Sequence, residues 1–199
     1  MKTRRGQSPV TSRQSSVKIA ENWQPATGNR QLATDSVKKT VYLSLGSNVG
    51  GRQSNLESAI ERLRELGEVK AVSSFYETEP VDFAAQPWFL NCAVALETEA
   101  MPRSLLGRVL AIEQKMGRRR LQLKGPRTID IDILLFGNSV VETRELTIPH
   151  PALHERRFAL EPLCEIAAEV RHPVLKRTMR ELRDALPHGA GAVRKIRKS

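Results

Sequence analysis

Apolar residues follow two different spacings between residues 41 and 136, and these spacings predict two kinds of element. They recur every three or four positions from Leu56 to Leu66 and from Leu105 to Met116, which predicts two helices. Gly67 ends the first helix, and Pro102 suits the first turn of the second. The other apolar runs are short and rich in β-forming residues, and they predict four strands at Val41–Leu45, Val69–Glu77, Trp88–Glu97 and 128–136.

The order strand, helix, strand, strand, helix, strand is the ferredoxin-like βαββαβ pattern. We therefore predict an α+β sandwich with a mainly antiparallel sheet, two helices on one face and the other face left for ligands. Apolar positions from 153 to 166 and from 179 to 186 predict extra C-terminal helices that pack on the sheet. RNA-recognition domains share this order of elements, so the function has to be inferred from site residues.

Both ends of the chain lack this periodicity. Residues 1–39 are predicted to be a disordered basic leader, 40–188 a single domain and 189–199 a flexible basic tail. The net charge of +10 belongs to these ends, because residues 41–188 carry twenty basic and twenty acidic side chains. A domain without net charge is not a general binder of phosphate backbones, so we expect no nucleic-acid partner.

The two cysteines indicate a reducing environment. Cys92 and Cys164 lack the spacing of metal ligands and lie in apolar runs, which predicts buried free thiols. No apolar run is long enough for a membrane span, and no signal-peptide core follows Met1. We expect a cytoplasmic monomer without a membrane partner.

The most informative polar pattern lies in the fourth predicted strand. Because strand side chains alternate between faces, Asp130 and Asp132 point to one face and their isoleucine neighbours to the other. Carboxylates two positions apart, with Cα atoms roughly 7 Å apart, repel each other unless a cation lies between them. Mg²⁺ fits this arrangement, because it binds one or two carboxylates together with phosphate oxygens. Alone, an Asp-x-Asp pattern is more typical of a solvated strand.

A basic segment directly before this strand favours a phosphate site. Its side chains and the carboxylate pair together could hold a magnesium triphosphate. A run of charge without such a neighbour is usually a solvated surface. The basic residues are Arg118, Arg119, Arg120, Lys124 and Arg127.

Glu113 borders the apolar stripe of the second predicted helix. A carboxylate in that position needs a partner, because burying an unpaired charge is costly. An ion pair with a nearby arginine and contact with a bound nucleotide are both compatible with the sequence.

Four segments match the motifs of a known family. They are LGSN at 45–48, SFYET at 74–78 with QPWFLN at 86–91, GPRTIDID at 125–132 and IPHP at 148–151. In this order, over about residues 40–168, they resemble the 6-hydroxymethyl-7,8-dihydropterin pyrophosphokinases of folate biosynthesis. The resemblance implies a transferase that moves the terminal diphosphate of ATP to the pterin hydroxymethyl group and releases AMP.

The resemblance also implies residue roles for the nucleotide and metal. ATP is the co-substrate, and two Mg²⁺ ions are held by Asp130 and Asp132. The catalytic positions are Arg118, Arg120, Arg127, Asp130 and Asp132. The nucleotide contacts are Glu113, Arg118, Arg120, Lys124, Arg127, Ile133, Thr147, His150 and Arg156.

A pterin is a flat ring that needs aromatic faces and a few fixed hydrogen-bond partners. By the same resemblance, Phe89 and Phe158 stack on the ring, and Thr78, Val81 and Asn91 contact its edge. Taken singly, each of the two phenylalanines is more typical of a core residue.

Two other functions are compatible with parts of the sequence. One is another Mg²⁺-dependent phosphoryl or nucleotidyl transferase on the same fold. The other is an RNA-binding module, but its Arg/Lys-Gly-aromatic-Gly-aromatic signature is absent, and Asp130 with Asp132 would repel a phosphate backbone.

Overall fold

The computed structural model describes residues 37–80, 86–117, 125–187 and 191–196. The strands in these ranges are β1 (Lys39–Ser47), β2 (Glu68–Val72), β3 (Tyr76–Thr78), β4 (Phe89–Thr98), β5 (Asp130–Phe136), β6 (Val141–Glu142), β7 (Thr147–Ile148) and β8 (Val193–Lys195). An antiparallel sheet has the order β5-β1-β4-β3-β8, and β2 also pairs with β4. Strands β6 and β7 form a separate pair.

Two of the helices begin with recognisable signals. Pro102 stands at the start of the second helix, as predicted. Thr178 caps the fourth helix: its hydroxyl accepts from the Glu181 N–H at 3.1 Å, and the Glu181 carboxylate accepts from the Thr178 N–H at 2.7 Å. Among the described residues, no helix is long and apolar enough to span a bilayer. The helices are α1 (Arg52–Leu63), α2 (Pro102–Lys115), α3 (Arg157–Ala167) and α4 (Met179–Asp184), with a short 3-10 helix at Leu153–Glu155.

The main core lies between one face of the sheet and helices α1 and α2. Val41, Leu43 and Leu45 of β1 are fully buried there with Leu56 of α1 and Leu105 of α2. Burying each such side chain stabilises the fold by about 1.5–3 kcal/mol. The predicted βαββαβ order and α+β class are therefore confirmed.

The opposite face of the sheet has two parts, one covered by α3 and one that lines a cavity. Helix α3 packs on β4 and β1, and a second buried cluster contains Ala93, Leu134, Leu160 and Leu163. The part of this face that α3 does not cover lines a cavity. The two extra C-terminal helices are present, but only α3 packs on the sheet as predicted, since α4 packs on α3.

The predicted strand at 69–77 is instead two strands, β2 and β3, which both pair with β4. Between them, the N–H of Ser73 donates to the carbonyl of Ala93, and the Ser73 hydroxyl accepts from the Ala93 N–H, both at 2.9 Å. The Ser73 hydroxyl therefore takes the place of a backbone carbonyl as the acceptor for the Ala93 N–H, and the regular pairing with β4 is interrupted between β2 and β3.

The predicted flexible tail is wrong for residues 193–195, which form β8 along the outer edge of β3. Their basic side chains have partners on α3 and just before β4. The ammonium of Lys195 lies 3.2 Å from the Glu165 carboxylate, and the Arg194 guanidinium lies 5.1 Å from the centre of the Trp88 ring. Composition alone did not indicate these partners.

Candidate active site

Strand β5 places the two aspartates on the cavity side of the sheet. In its pairing with β1, Asp130 lies opposite Gly46 and Asp132 opposite Ser44. The isoleucines at 129, 131 and 133 point into the core, where they are at most 5% exposed. The predicted division of β5 into an apolar face and an acidic face is therefore present.

Each aspartate is paired with an arginine from a different segment. Arg127, three residues before Asp130, donates to its Oδ2. Arg156 reaches Asp132 from the turn before α3, with 3.5 Å between Nη1 and Oδ2. The Asp130 and Asp132 side chains are 20% and 37% exposed, so both carboxylates are accessible from the cavity.

The first cavity has a volume of about 480 Å³ and contains four of the predicted ring-binding residues. The Arg127 guanidinium lies 5.9 Å from the centre of the Phe89 ring, and that of Arg156 lies 5.6 Å from the centre of the Phe158 ring. Both arginines thus contact an aspartate and an aromatic ring. The four ring-binding candidates are Thr78, Phe89, Asn91 and Phe158.

Asn91 is held in a fixed orientation at the floor of this cavity. It is 4% exposed, and its Nδ2 donates to the Thr78 hydroxyl at 2.6 Å. Gly46 lies beside it on β1, where a Cβ atom would come within 2.5 Å of the Asn91 Oδ1. Glycine is needed at position 46 because of this close approach.

A second cavity of about 310 Å³ is lined by predicted nucleotide contacts, namely Glu113, Ile133, Thr147 and His150. Asp130, Asp132 and His150 line both cavities. The carboxylate pair therefore lies where the two cavities meet.

His150 is positioned by backbone and side-chain contacts. Its N–H donates to the Leu134 carbonyl of β5 at 2.9 Å, and its Nδ1 accepts from the Ala152 N–H at 3.2 Å. Burial and the nearby charge of Arg156 lower the His150 pKa to about 4. The imidazole is therefore neutral near pH 7.

Glu113 of α2 is 2% exposed, and its Oε1 accepts from the Ile131 N–H of β5 at 2.7 Å. This bond to the backbone was not among the contacts considered from the sequence. It ties α2 to the strand that carries both aspartates.

Two polar residues that hold segments next to the site, Asn48 and Arg52, were not predicted from the sequence. The Asn48 Oδ1 accepts from the Arg127 N–H at 2.8 Å, which fixes the segment before β5. The Arg52 guanidinium donates to the Trp88 carbonyl at 2.9 Å and to the Glu77 carboxylate at 2.7 Å. The signal for Asn48 was its place in the turn after β1, and we find no local signal for Arg52.

Four predicted site residues, Val81, Arg118, Arg120 and Lys124, lie outside the described residues. Within the described ranges, no group of three or more His, Cys, Asp or Glu side chains is arranged to hold a metal ion. A metal at this site would therefore need ligands besides the aspartate pair.

Comparison with protein families matches residues 42–168 to 7,8-dihydro-6-hydroxymethylpterin-pyrophosphokinase (HPPK). The chain belongs to this family. The matched residues of this HPPK chain extend from β1 to the end of α3 and include both members of the aspartate pair.

Named relatives agree with the family. The 2-amino-4-hydroxy-6-hydroxymethyldihydropteridine pyrophosphokinase of Aquifex aeolicus is 42% identical over 144 residues, 72% of this chain and 90% of that protein. The Bacillus subtilis protein of the same name is 45% identical over 131 residues, 65% of this chain and 78% of that protein. The "Folic acid synthesis protein fol1" of Schizosaccharomyces pombe is 42% identical over 151 residues, 75% of this chain but 21% of that protein.

A solved structure shares the fold. The wild-type HPPK-DHPS of Plasmodium falciparum, crystallised with STZ-DHP, superposes with a TM-score of 0.59 at 19% identity. The match covers 74% of this chain and 43% of that chain.

Proposed function

We propose that this HPPK chain transfers diphosphate from ATP to the hydroxymethyl group of 6-hydroxymethyl-7,8-dihydropterin and releases AMP, a step of folate biosynthesis. The observation that carries the proposal is the position of Asp130 and Asp132 at the junction of two cavities. One cavity contains aromatic rings and a fixed amide, which suit a pterin. The other contains the residues expected around a nucleotide.

The ring-binding cavity offers the contacts that a pterin needs. Phe89 and Phe158 provide aromatic faces. Asn91 can both donate and accept, so its amide can pair with the amide-like edge of the ring, and the hydrogen bond that its Nδ2 donates to the Thr78 hydroxyl fixes its orientation. We propose Val81 as a further contact by its place in the family motif.

The aspartate pair fits magnesium. Mg²⁺ retains several waters and takes one or two protein carboxylates plus phosphate oxygens, so Asp130 and Asp132 supply a suitable protein share. When bound there, Mg²⁺ would neutralise charge on the phosphate oxygens. We propose two ions, by analogy with the family.

The reaction requires in-line positioning of the two substrates. The pterin hydroxyl oxygen forms a bond to the β-phosphorus, the bond from that phosphorus to the oxygen bridging the α- and β-phosphates breaks, and the hydroxyl proton is released. Arg127 and Arg156 stand beside the carboxylates and can hold the transferred diphosphate by charge-assisted hydrogen bonds. We propose the same role for Arg118, Arg120 and Lys124.

On the nucleotide side, Ile133 and Thr147 are proposed to border the adenine. His150 is proposed to contact phosphate or ribose as a neutral hydrogen-bonding group. Glu113 lines the same cavity, and its bond to Ile131 supports β5 beneath the aspartates.

The RNA-binding alternative is not favoured by this fold. Proteins of that class use the open face of the sheet for RNA. Here α3 covers part of that face, and the acidic pair lines the cavity on the uncovered part.

We also propose residues 40–188 as the pyrophosphokinase domain, preceded by the basic leader at 1–39 and followed by the basic tail at 189–199. A cytoplasmic location and a monomeric state stay predictions. Titration of the free thiols and sedimentation of the purified chain would address the redox state and the oligomeric state.

Product analysis tests the proposed reaction. The chain should form one AMP for each 6-hydroxymethyl-7,8-dihydropterin consumed, and only when ATP, Mg²⁺ and the pterin are all present. Chelation with EDTA should stop the reaction, and added Mg²⁺ should restore it. Formation of ADP, or equal turnover of unrelated hydroxyl acceptors, would instead support another Mg²⁺-dependent transferase.

A further inference from the structure

Strand β8 lies beyond the residues that match the family model, yet it is part of the main sheet. It pairs antiparallel with β3, with Val193 opposite Thr78 and Lys195 opposite Tyr76. The pairing continues past both ends of β3: the Glu79 N–H donates to the Ala192 carbonyl at 3.0 Å, and the Ile196 N–H donates to the Phe75 carbonyl at 2.8 Å.

Strand β3 depends on this neighbour because it has only three residues. With β4 alone it would be a short edge strand with one row of backbone groups unpaired. Pairing on both sides fixes its backbone, and with it the side chain of Thr78.

Thr78 connects the strand to the ring-binding cavity. It is 2% exposed, and its hydroxyl accepts the 2.6 Å hydrogen bond from Asn91. A displacement of β3 would therefore rotate or release the amide that is proposed to contact the pterin edge.

Residues 191–193 line a space next to the ring-binding cavity. A space of about 300 Å³ shares Thr78, Arg156 and Phe158 with the ring-binding cavity and is bordered by residues 191–193 on its other side. In addition, Arg194 lies over Trp88, the residue before Phe89. The C-terminal segment thus borders a space that adjoins the ring-binding cavity, and its Arg194 contacts the residue before Phe89.

We propose that β8 is a positioning element of the ring-binding cavity, which fixes Asn91 through β3 and Thr78. The role in pterin binding rests on the proposed function. Strand β8 lies at one edge of the sheet and β5, which carries the aspartate pair, at the other edge, so we expect the effect of β8 to fall on the pterin.

Ile196 allows a matched test in the full-length chain. Ile196→Pro removes the N–H that donates to Phe75, whereas Ile196→Ala keeps it and removes only the side chain. Loss of one such hydrogen bond should raise the dissociation constant for 6-hydroxymethyl-7,8-dihydropterin about 3- to 10-fold in Ile196→Pro. The constant for a non-hydrolysable ATP analogue with Mg²⁺ should stay within about twofold, and Ile196→Ala should bind both as the unsubstituted chain does.

Amide hydrogen exchange provides a readout that does not depend on ligands. Exchange at Thr78 and Glu79 should be faster in Ile196→Pro than in Ile196→Ala. Unchanged exchange, unchanged pterin binding, or an equal weakening of pterin and nucleotide binding would overturn the inference. Failure of the unsubstituted chain to bind the pterin would overturn the proposed function, while the exchange data would still decide whether β8 fixes Thr78.

Discussion

At the residue scale, the site depends on charges that local spacing brings together and on partners that are distant in sequence. Asp130 and Asp132 share a face because strand side chains alternate, so their placement was predictable. The bond from Arg127 to Asn48 joins residues 79 positions apart, and no local pattern encodes it. The chemistry of the site was therefore predictable from sequence, but much of its supporting hydrogen-bond network was not.

Replacing either aspartate should abolish most activity without unfolding the chain. Asp130→Asn and Asp132→Asn keep the side-chain shape but weaken metal binding, so AMP formation should fall by at least about 100-fold. Because both ion pairs are partly solvent-exposed, the free energy of unfolding should change by only about 1 kcal/mol. Asp184→Asn alters an exposed aspartate paired with Arg183 and serves as the control; near-normal activity in Asp130→Asn would refute the metal assignment.

Gly46→Ala should selectively weaken pterin binding. Its Cβ would lie 2.5 Å from the Asn91 Oδ1, so the amide has to move away from Thr78. We expect the KM for the pterin to rise about 10-fold, the loss of roughly one hydrogen bond, while the KM for ATP changes little. In Gly107→Ala the new methyl group meets nothing within 4 Å, and pterin binding should not change. A normal pterin KM in Gly46→Ala would argue against Asn91 as a ring contact.

At the element scale, the helices were predictable and the strand partners were less so. The apolar repeats of α1 and α2 are local signals and predicted both helices, although α1 ends at Leu63 and not at Gly67 as predicted. The division into β2 and β3 depends on the hydroxyl of Ser73 bonding to β4. Strand β8 pairs with residues more than 100 positions earlier, and its basic composition is more typical of a solvated tail.

The contact between α2 and β5 offers a test at this scale. Glu113→Ala leaves the buried N–H of Ile131 without this acceptor, which should lower the free energy of unfolding by about 1–3 kcal/mol. Glu113→Gln retains a carbonyl oxygen in the same place and should lose less. Chemical denaturation of both variants measures the difference, and equal stability of the two would show that the bond to Ile131 contributes little.

At the scale of the whole molecule, the excess of basic charge lies at the two ends of the chain, and the buried core residues lie between them. The excess of basic residues lies in the two ends, while residues 41–188 carry equal numbers of basic and acidic side chains. This distribution was evident from the sequence, as was the burial of both thiols in apolar runs. What the sequence did not indicate is that part of the basic C-terminal end belongs to the sheet.

The two thiols should be protected by the native fold. Cys92 is fully buried in the main core, and Cys164 of α3 is 7% exposed in the second buried cluster. We expect a thiol-specific disulfide reagent at pH 8 to label neither cysteine in the native chain and both after unfolding. Ser104→Cys, on the exposed surface of α2, should be labelled at once and shows that the reagent is active.

The same burial gives stability a pH dependence whose sign can be derived. Burial raises the pKa of Cys92 to about 12 and that of Cys164 to about 11, from an ordinary value of 9.0. The unfolded chain therefore releases these thiol protons near pH 9, while the native chain keeps them. Since the native state binds more protons in this range, the free energy of unfolding should fall as the pH rises above about 9. Cys92→Ala creates a cavity and should be less stable at every pH. Its free energy of unfolding, measured by denaturant titration, should decline less steeply between pH 9 and 11 than that of the unsubstituted chain. Equal slopes would show that Cys92 ionises equally in the native and the unfolded state.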